Sequence, residues 1–271
     1  MFLLFYDCFC SLFMLRLRSQ GVMKVLTEER KTYLLQQIEK EGFIKNTEMA
    51  EQLKTSISTV RRDLQELEND GLIRRIHGGA QRITPLMHED SILEKATQHP
   101  VEKQKIAQYA ARYIEQGDVI FLDAGSTTFE MIPFLHDLSI TVVTNSVIHA
   151  AALAEQQITT IVLGGLIKPD TKAIINTTAF EQLQSLRFDK CFIGTNSITA
   201  QFGYATPDIE EAHIKQLAIQ NSQQSFVLAD HSKFKKSSFV HFAQLSAARI
   251  ITDYCPIADA SLQNQTTIEE I

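Results

Sequence analysis

The chain has 271 residues and a formal net charge of −6, and this length allows two domains that each bury a core. The acidic balance argues against a protein whose whole surface is built for nucleic acid, although it leaves room for one basic face. The four cysteines form no CxxC pair, which argues against a disulfide framework or a zinc site and indicates a reducing compartment. The histidines show no metal-ligand spacing either, so we expect no metal and no cofactor.

Residues 1–22 differ in character from the rest of the chain. The run from Phe2 to Leu17 is mostly apolar, but it is shorter than the roughly 20 residues that a membrane-spanning helix needs. Arg16 and Arg18 follow the run, whereas a signal peptide carries its basic residues ahead of it. We expect residues 1–22 to be a non-native leader before a start at Met23, in a cytoplasmic protein with no membrane partner. A membrane tether is the alternative.

Three short helices are predicted in the next part of the chain. Apolar residues recur at helical spacing in segments 28–41, 46–53 and 56–69, and short turns separate these segments. This arrangement is typical of a helix-turn-helix. The start of the third helix carries hydrogen-bonding and cationic side chains away from its apolar face, of the types that suit base edges and phosphates: Ser58, Thr59, Arg61 and Arg62.

A basic, glycine-tipped segment follows the third helix. Apolar and basic residues alternate from residue 72 to residue 80, where Gly78 and Gly79 interrupt them, and this pattern predicts a two-stranded hairpin or wing. Its basic residues would lie against the phosphate backbone of DNA: Arg74, Arg75 and His77. A charged helix face is usually only a solvated surface, but the order of these features favours a winged helix-turn-helix over residues 24–82.

Residues 83–100 have little periodicity apart from one short helix near 91–96, and they are expected to form a linker. From 101 to 255, continuous apolar strands alternate with helices; the strands are predicted at 119–122, 141–143, 160–163, 191–193, 226–228 and 250–251. This rhythm predicts an α/β domain with a doubly wound, mostly parallel sheet. Residues 256–271 are expected to be a C-terminal tail.

Small hydroxyl, amide and glycine residues follow five of the predicted strands. Ligands of such sheets bind beyond the carboxyl ends of the strands. The loop 125–128 offers backbone N–H groups, hydroxyls and the start of a helix, which suit a phosphate. Two lysines would add positive charge, and three acids would accept hydrogen bonds from sugar hydroxyls. The predicted ligand contacts are Asp123, Gly125, Ser126, Thr127, Thr128, Asn145, Gly164, Gly165, Asn196, Glu210, Lys215, Asp230 and Lys233.

Each of these residues also has a purely structural interpretation. Ser and Thr after a strand are ordinary helix caps, and Gly164-Gly165 can simply form a turn. Glu210 and Lys215 are equally compatible with an exposed, charged helix face. The prediction of a site depends on five strand ends converging at one edge of the sheet.

The chain resembles the DeoR family of transcription regulators from Met23 almost to its end. The resemblance is carried by residues 59–64 (Thr-Val-Arg-Arg-Asp-Leu), 75–80 (Arg-Ile-His-Gly-Gly-Ala), 123–128 (Asp-Ala-Gly-Ser-Thr-Thr) and 230–234 (Asp-His-Ser-Lys-Phe). It implies a winged helix-turn-helix that binds double-stranded operator DNA, with Asp63 in a structural role. It also implies a sensor domain related in fold to ribose-5-phosphate isomerases and coenzyme A transferases.

The resemblance further implies a repressor of a sugar-utilisation operon that a phosphorylated sugar releases from DNA. The chain is most similar to repressors of sugar phosphotransferase operons, which makes fructose 1-phosphate the first effector to consider, with tagatose 6-phosphate and other ketose phosphates open. A homodimer or homotetramer is expected because operators usually repeat a half-site.

Two other hypotheses remain open. One is a sugar-phosphate isomerase with a regulatory N-terminal domain, in which Asp123, Glu210, Asp230 and Lys233 would act as acids and bases. A shared fold does not imply a shared activity, and no arrangement of these residues gives each of them a catalytic role. We therefore expect that the protein is not an enzyme and assign no catalytic residue. The other is a membrane-attached sensor, which rests on residues 1–22 alone.

Overall fold

The computed structural model describes residues 27–76, 78–82, 85–256 and 260–271. The leader predicted at residues 1–22 and the wing residue His77 lie outside the described residues. The described chain divides into two units, one that ends before residue 84 and one that begins at Pro85. No helix within these ranges is long and apolar enough to cross a membrane.

The first unit consists of three helices and three short strands. Its elements are α1 (Thr27–Glu41), β1 (Phe43–Lys45), α2 (Asn46–Gln52), α3 (Ile57–Asn69), β2 (Ile73–Ile76) and β3 (Gly79–Arg82). The three predicted helices are present, and their apolar faces meet in one core that includes Leu34, Val60 and Leu64. The hairpin of β2 and β3 is also present and antiparallel.

Strand β1 was not predicted, and it extends the wing to three antiparallel strands in the order β1-β3-β2. Three residues with a single buried side chain, Ile44, carry too short an alternation to be read from the sequence. The pairing depends on Gly79, because a Cβ atom there would lie 2.0 Å from the carbonyl oxygen of Ile44. The second of the paired glycines thus permits a close approach of two backbones.

A buried ion pair joins the first and third helices of this unit. Arg30 in α1 donates from Nε and Nη2 to the two carboxylate oxygens of Asp63 in α3, over 2.7 and 3.1 Å. The Asp63 side chain is fully buried and that of Arg30 is 9% exposed. Asp63 has the structural role that the sequence indicated, and its partner is an arginine 33 residues away.

The second unit contains a large sheet, its covering helices and two smaller sheets. In chain order its elements are α4 (Ile92–Thr97), α5 (Pro100–Ala111), β4 (Val119–Leu122), α6 (Ser126–Phe129), β5 (Thr141–Thr144), α7 (Val147–Glu155), β6 (Thr159–Val162), β7 (Leu166–Ile167), β8 (Ile174–Ile175), α8 (Thr177–Gln184), β9 (Phe188–Gly194), β10 (Ser197–Thr199), β11 (Gly203–Thr206), α9 (Ile209–Gln220), β12 (Ser222–Leu228), β13 (Val240–Ala243), β14 (Arg249–Thr252), α10 (Ala260–Gln263) and β15 (Ile268–Glu270), with three short 3₁₀ turns.

The large sheet has seven strands in the order β15-β14-β12-β9-β4-β5-β6, and all its pairings are parallel. Alternate residues of each strand enter different cores. Ile120 and Phe192 pack with α5 and α7 on one face, while Phe121 and Ile193 pack with α8 and α9 on the other. The predicted α/β class with a doubly wound sheet is confirmed.

The strand order places a topological switch point between β4 and β9. From β4 the chain proceeds outward to β5 and β6, and it then returns to add β9, β12, β14 and β15 on the other side. The two connections leave in opposite directions, so a crevice opens between the carboxyl ends of β4 and β9. Ligands of open α/β sheets bind at such a point.

Two segments outside the predicted sensor domain are part of this unit. The expected tail supplies β15, which pairs with β14 at the edge of the sheet, and Leu262 enters the core at 1% exposure. The expected linker contains α4, which begins at a capping box of Ser91 and Glu94. The amide of Ile92 also donates to the carbonyl of Asp170 over 3.0 Å.

We predict that Asp63→Ala destabilises the first unit by about 3 to 5 kcal/mol, because it leaves the Arg30 guanidinium buried without its carboxylate. Hydrogen exchange of α3 peptides in the full-length protein measures this opening free energy. Glu66→Ala is the matched control, since Glu66 lies on the same helix with its side chain 42% exposed and its loss should change exchange far less. Equal effects of both substitutions would contradict a special role for the buried pair.

Candidate functional site

The start of α3 presents the side chains predicted to contact DNA. Ser56 caps the helix by accepting from the amide of Thr59 over 3.1 Å. The hydroxyls of Ser58 and Thr59 share hydrogen bonds of 2.7 and 2.8 Å with the Ser56 hydroxyl. Arg61 and Arg62 are exposed, so the structure brings four of the predicted contacts together at one end of one helix.

The two described wing arginines that were predicted to contact DNA, Arg74 and Arg75, differ from each other. Arg74 is exposed, whereas the guanidinium of Arg75 donates to the side chain of Gln65 on α3. The amide of Arg75 also donates to Glu68 over 2.8 Å. Arg75 therefore fixes the wing to the third helix, whereas Arg74 faces solvent.

A polar cleft lies at the switch point of the sheet; its cavity volume is about 40 Å³, and it is partly open to solvent. The loops after β4 and β9 form its walls, and side chains from α9 and from the segment before α5 complete it. Its lining residues are Glu89, Lys95, Ala124, Gly125, Ser126, Thr127, Gly194, Thr195, Asn196, Glu211, Lys215, Leu228 and Lys233. Six of the predicted ligand contacts are in this lining: Gly125, Ser126, Thr127, Asn196, Lys215 and Lys233.

Lys215 lines the cleft, and Asp123 lies directly behind it. Lys215 Nζ, on α9, lies 2.5 Å from Asp123 Oδ2 and donates to the carbonyl of Gly194 over 3.1 Å. The same Asp123 oxygen accepts from the amide of Gly194 over 2.9 Å. Both side chains are almost fully buried, at 2% and 6% exposure. Asp123 is thus held behind Lys215, where it ties the ends of β4 and β9 to the helix.

Lys233 is held much less tightly than Lys215. Its Nζ lies 3.8 Å from Asp230 Oδ2, which is beyond hydrogen-bond distance. Within the described part of the chain, that oxygen and the Ser232 hydroxyl are buried without a hydrogen-bond partner. Burial lowers the pKa of Lys233 to about 8, although the Asp230 carboxylate opposes the shift.

The Asp230 carboxylate is nevertheless charged at neutral pH. Burial alone would raise its pKa, but the charge of Lys233 and the hydrogen bond from the Ser232 amide lower it, and the pKa is about 2. A charged acid and an ammonium group thus face each other across a gap, next to a second unpaired polar atom. The Lys233 ammonium can therefore exchange the Asp230 carboxylate for a ligand anion at little cost in free energy.

The loop between β4 and α6 is positioned by buried side chains. The hydroxyl of Thr128 donates to the carbonyl of Asp123 over 2.6 Å, and the side chain of Asn145 accepts from the amide of Ala124 over 3.1 Å. The amides of Ser126 and Thr127 begin α6, where N–H groups have no acceptor within the helix. Because α6 has only four residues, its dipole adds little, and the lysines supply the main attraction for an anion.

Three predicted contacts lie elsewhere. The amide of Gly164 donates to Gln182, and Gly165 belongs to a tight turn in which a Cβ would lie 2.5 Å from the carbonyl oxygen of Ile175. Both glycines therefore form a turn, which was the structural alternative to ligand binding for this pair. Glu210 is not in the lining, whereas the adjacent Glu211 is. Asp123, Thr128, Asn145 and Asp230 form a layer directly behind the lining residues.

Sequence reasoning missed three charged groups of the cleft, Glu89, Lys95 and Glu211. Glu89 and Lys95 lie in the segment that was assigned to a linker, which has no strand end to mark it. Burial and the neighbouring Glu89 carboxylate raise the pKa of Glu211. The one available signal was the helical register of α9, since Glu211 and Lys215 are four residues apart and share a face. Within the described ranges, no three His, Cys, Asp or Glu side chains meet as a metal site requires.

Two family models match the two units of the chain. Residues 30–85 match the DeoR-like helix-turn-helix domain, and residues 98–254 match the DeoR C terminal sensor domain. The HTH-type transcriptional regulator FruR of Bacillus subtilis is 43% identical over 229 residues, which are 84% of this chain and 91% of that protein. The lactose phosphotransferase system repressor of Staphylococcus aureus is 34% identical over 231 residues, 83% of this chain and 92% of that protein.

Solved structures give weaker likenesses. The full-length sorbitol operon regulator SorC of Klebsiella pneumoniae has a TM-score of 0.34 at 10% identity, over 75% of this chain and 89% of that one. Ribose 5-phosphate isomerase A of Methanocaldococcus jannaschii has a TM-score of 0.37 at 18% identity, over 49% of this chain and 53% of that one. The family models and the sequence relatives confirm the resemblance seen in the sequence: the chain belongs to the DeoR family of helix-turn-helix transcriptional regulators.

Proposed function

We propose that the protein is a cytoplasmic repressor of a sugar-utilisation operon, and that a phosphorylated sugar bound at the switch-point cleft releases it from double-stranded operator DNA. Fructose 1-phosphate is the first effector to test. Two of its relatives are named as FruR and as a lactose phosphotransferase system repressor. We further propose that the active form is a homodimer or homotetramer, since paired heads read paired half-sites.

The loosely held Lys233 is the observation that carries the effector assignment. A phosphate monoester brings two negative charges at neutral pH, and it needs cations and N–H donors to replace its water. Lys233 lines the cleft with its Nζ 3.8 Å from the Asp230 carboxylate, and Ser126 and Thr127 line the same cleft. Asn196 and Glu211 add an amide and a carboxylate, the group types that hydrogen-bond to sugar hydroxyls.

We propose regulation without turnover. An isomerase needs an acid and a base that are free to exchange protons with the sugar. Asp123 is instead bound to Lys215 and to the Gly194 amide, and it lies behind the lining. Asp230 is fully charged and screened by Lys233. The carboxylates and lysines of this cleft are arranged to hold one another and an anion, which suits a sensor.

The full-length protein should bind a specific site in its own upstream DNA, and one phosphosugar should release it. Fluorescence anisotropy at one fixed salt concentration, titrated with fructose 1-phosphate and a panel of other ketose and aldose phosphates, measures both steps. Unphosphorylated fructose is the control. Specific binding that no phosphosugar reverses would sink the effector assignment, and the absence of specific binding would sink the repressor.

Arg61→Ala should weaken binding to the specific site by about 1 to 3 kcal/mol and relax its sequence preference, because an exposed arginine at the start of a recognition helix pairs with a base edge. Binding to the specific site and to a scrambled duplex is compared in the same assay. Lys40→Ala, an exposed cation at the end of α1, is the matched control. Uniform weakening on both duplexes would make Arg61 a phosphate contact.

Lys233→Ala should weaken phosphosugar binding by about tenfold or more, since it removes a charge-assisted contact. Affinity for the wild-type protein should also fall as pH rises through about 8, where the ammonium loses its proton. Lys233→Arg should keep the charge and remove this pH dependence. Isothermal titration calorimetry between pH 6.5 and 9.5 measures the affinities, and an unchanged affinity of Lys233→Ala would place the phosphate elsewhere.

A further inference from the structure

The chain segment before α5 forms part of the effector cleft. Glu89 and Lys95 both line it, although they precede the residues matched by the sensor-domain model, which begin at residue 98. Their side chains are 7% and 17% exposed, so they are enclosed by the unit. This segment is also the part of the described chain that lies closest in sequence to the first unit.

Ionic contacts attach this segment to the sensor core. Glu89 is central, with its two carboxylate oxygens 2.6 Å from the ammonium groups of Lys95 and Lys168. Lys168 also lies 3.1 Å from both Asp208 and Glu211. In addition, the buried Lys103 donates from Nζ to the backbone carbonyl of Lys95. The segment is thus held by charges that border the cleft.

The lysines around the cleft differ in how firmly their charges are held. Lys168 is paired with three carboxylates, and Lys215 is held by Asp123 and a backbone carbonyl. Among the described residues, Lys95 has one ionic partner, Glu89. A ligand anion therefore has to displace only one carboxylate to reach Lys95.

The charge of Lys95 also acts on the other cations of the cleft. Burial is the main cause of the lowered pKa values of Lys103 and Lys233, and the charge of Lys95 adds to the lowering at both. Lys103 Nζ donates to the backbone carbonyl of Lys95, and Lys233 lines the same cleft as Lys95. The positive charges of these lysines repel one another, and the repulsion is stronger in a buried environment than in water. The Asp230 carboxylate opposes the lowering of the pKa at both Lys103 and Lys233, and so it offsets part of this repulsion. A dianionic phosphate among them would relieve the repulsion.

We propose that Lys95 is an effector-contact residue that binds the phosphate group together with Lys233, and that Glu89 competes with the phosphate for it. The inference rests on the proposed function. Binding then exchanges the Glu89–Lys95 pair for a phosphate–Lys95 pair. The segment that leads toward the first unit therefore changes its partner when the effector binds. Lys95 gives the effector a direct contact with that segment.

The test uses two substitutions that break the same ion pair. Lys95→Ala should weaken binding of fructose 1-phosphate by about tenfold or more, because it removes a cation from the site. Glu89→Gln should tighten binding by about threefold or more, because it removes the competing charge and leaves Lys95 in place. If the pair is only structural, both changes should weaken binding. Calorimetric titration of the full-length protein at low salt gives the sign of each effect.

Two exposed positions of the same unit give matched charge controls, Lys105→Ala and Glu181→Gln, and neither should change the affinity measurably. A thermal melt establishes that each variant is folded, and Lys95→Gln replaces Lys95→Ala if the latter does not fold. Shifts of the same sign for the two cleft variants, or no shift for the Lys95 variant, would overturn the inference. If the wild-type protein binds neither fructose 1-phosphate nor fructose 6-, tagatose 6- or ribose 5-phosphate, the proposed effector class fails first and the inference falls with it.

Discussion

The shape of the switch-point cleft depends on the buried pair of Asp123 and Lys215. The pair joins three elements, because Asp123 follows β4, Lys215 lies on α9, and both bind the backbone of Gly194 at the end of β9. Removing two charges from water is costly, and the cost is recovered only when the remaining hydrogen-bonding capacity is satisfied. The Gly194 amide and carbonyl provide that satisfaction. The switch point of the sheet is therefore fixed before any ligand arrives.

This fixed centre explains why the lysines of the cleft differ. Lys215 serves the fold, since each contact it makes also positions a strand end. Lys233 and Lys95 also line the cleft, but each faces a single carboxylate, at 3.8 and 2.6 Å respectively. A rigid wall with adjustable cations at its edge is suited to selecting an anion, because the wall sets the space and the cations supply the attraction.

The sequence predicted what local patterns encode. Continuous apolar strands such as Val119–Leu122 and the three helices of the first unit were found, because their apolar patterns are independent of the rest of the chain. The sequence did not predict β1 or β15. Each has only three residues, and these form a strand only because they pair with a neighbouring strand. Glu89 and Lys95 were missed for the same reason, since two charged residues in an irregular segment look solvated until tertiary structure encloses them. Five strand ends were treated alike, whereas only those nearest the switch point contribute lining residues.

A ligand shifts an equilibrium between two states only through a difference in its affinity for them. An effector that contacts only the rigid sheet would bind with the same affinity in every arrangement of the chain. Its binding would then not shift the balance between those arrangements. In this protein Glu89 and Lys95 belong to a segment outside the sheet. In the proposed site, Glu89 and the bound anion compete for the positive charge of Lys95. If the effector binds Lys95 as proposed, its affinity depends on whether Glu89 holds Lys95. Because such coupling is reciprocal, binding of the effector would in turn weaken the Glu89–Lys95 ion pair in that segment.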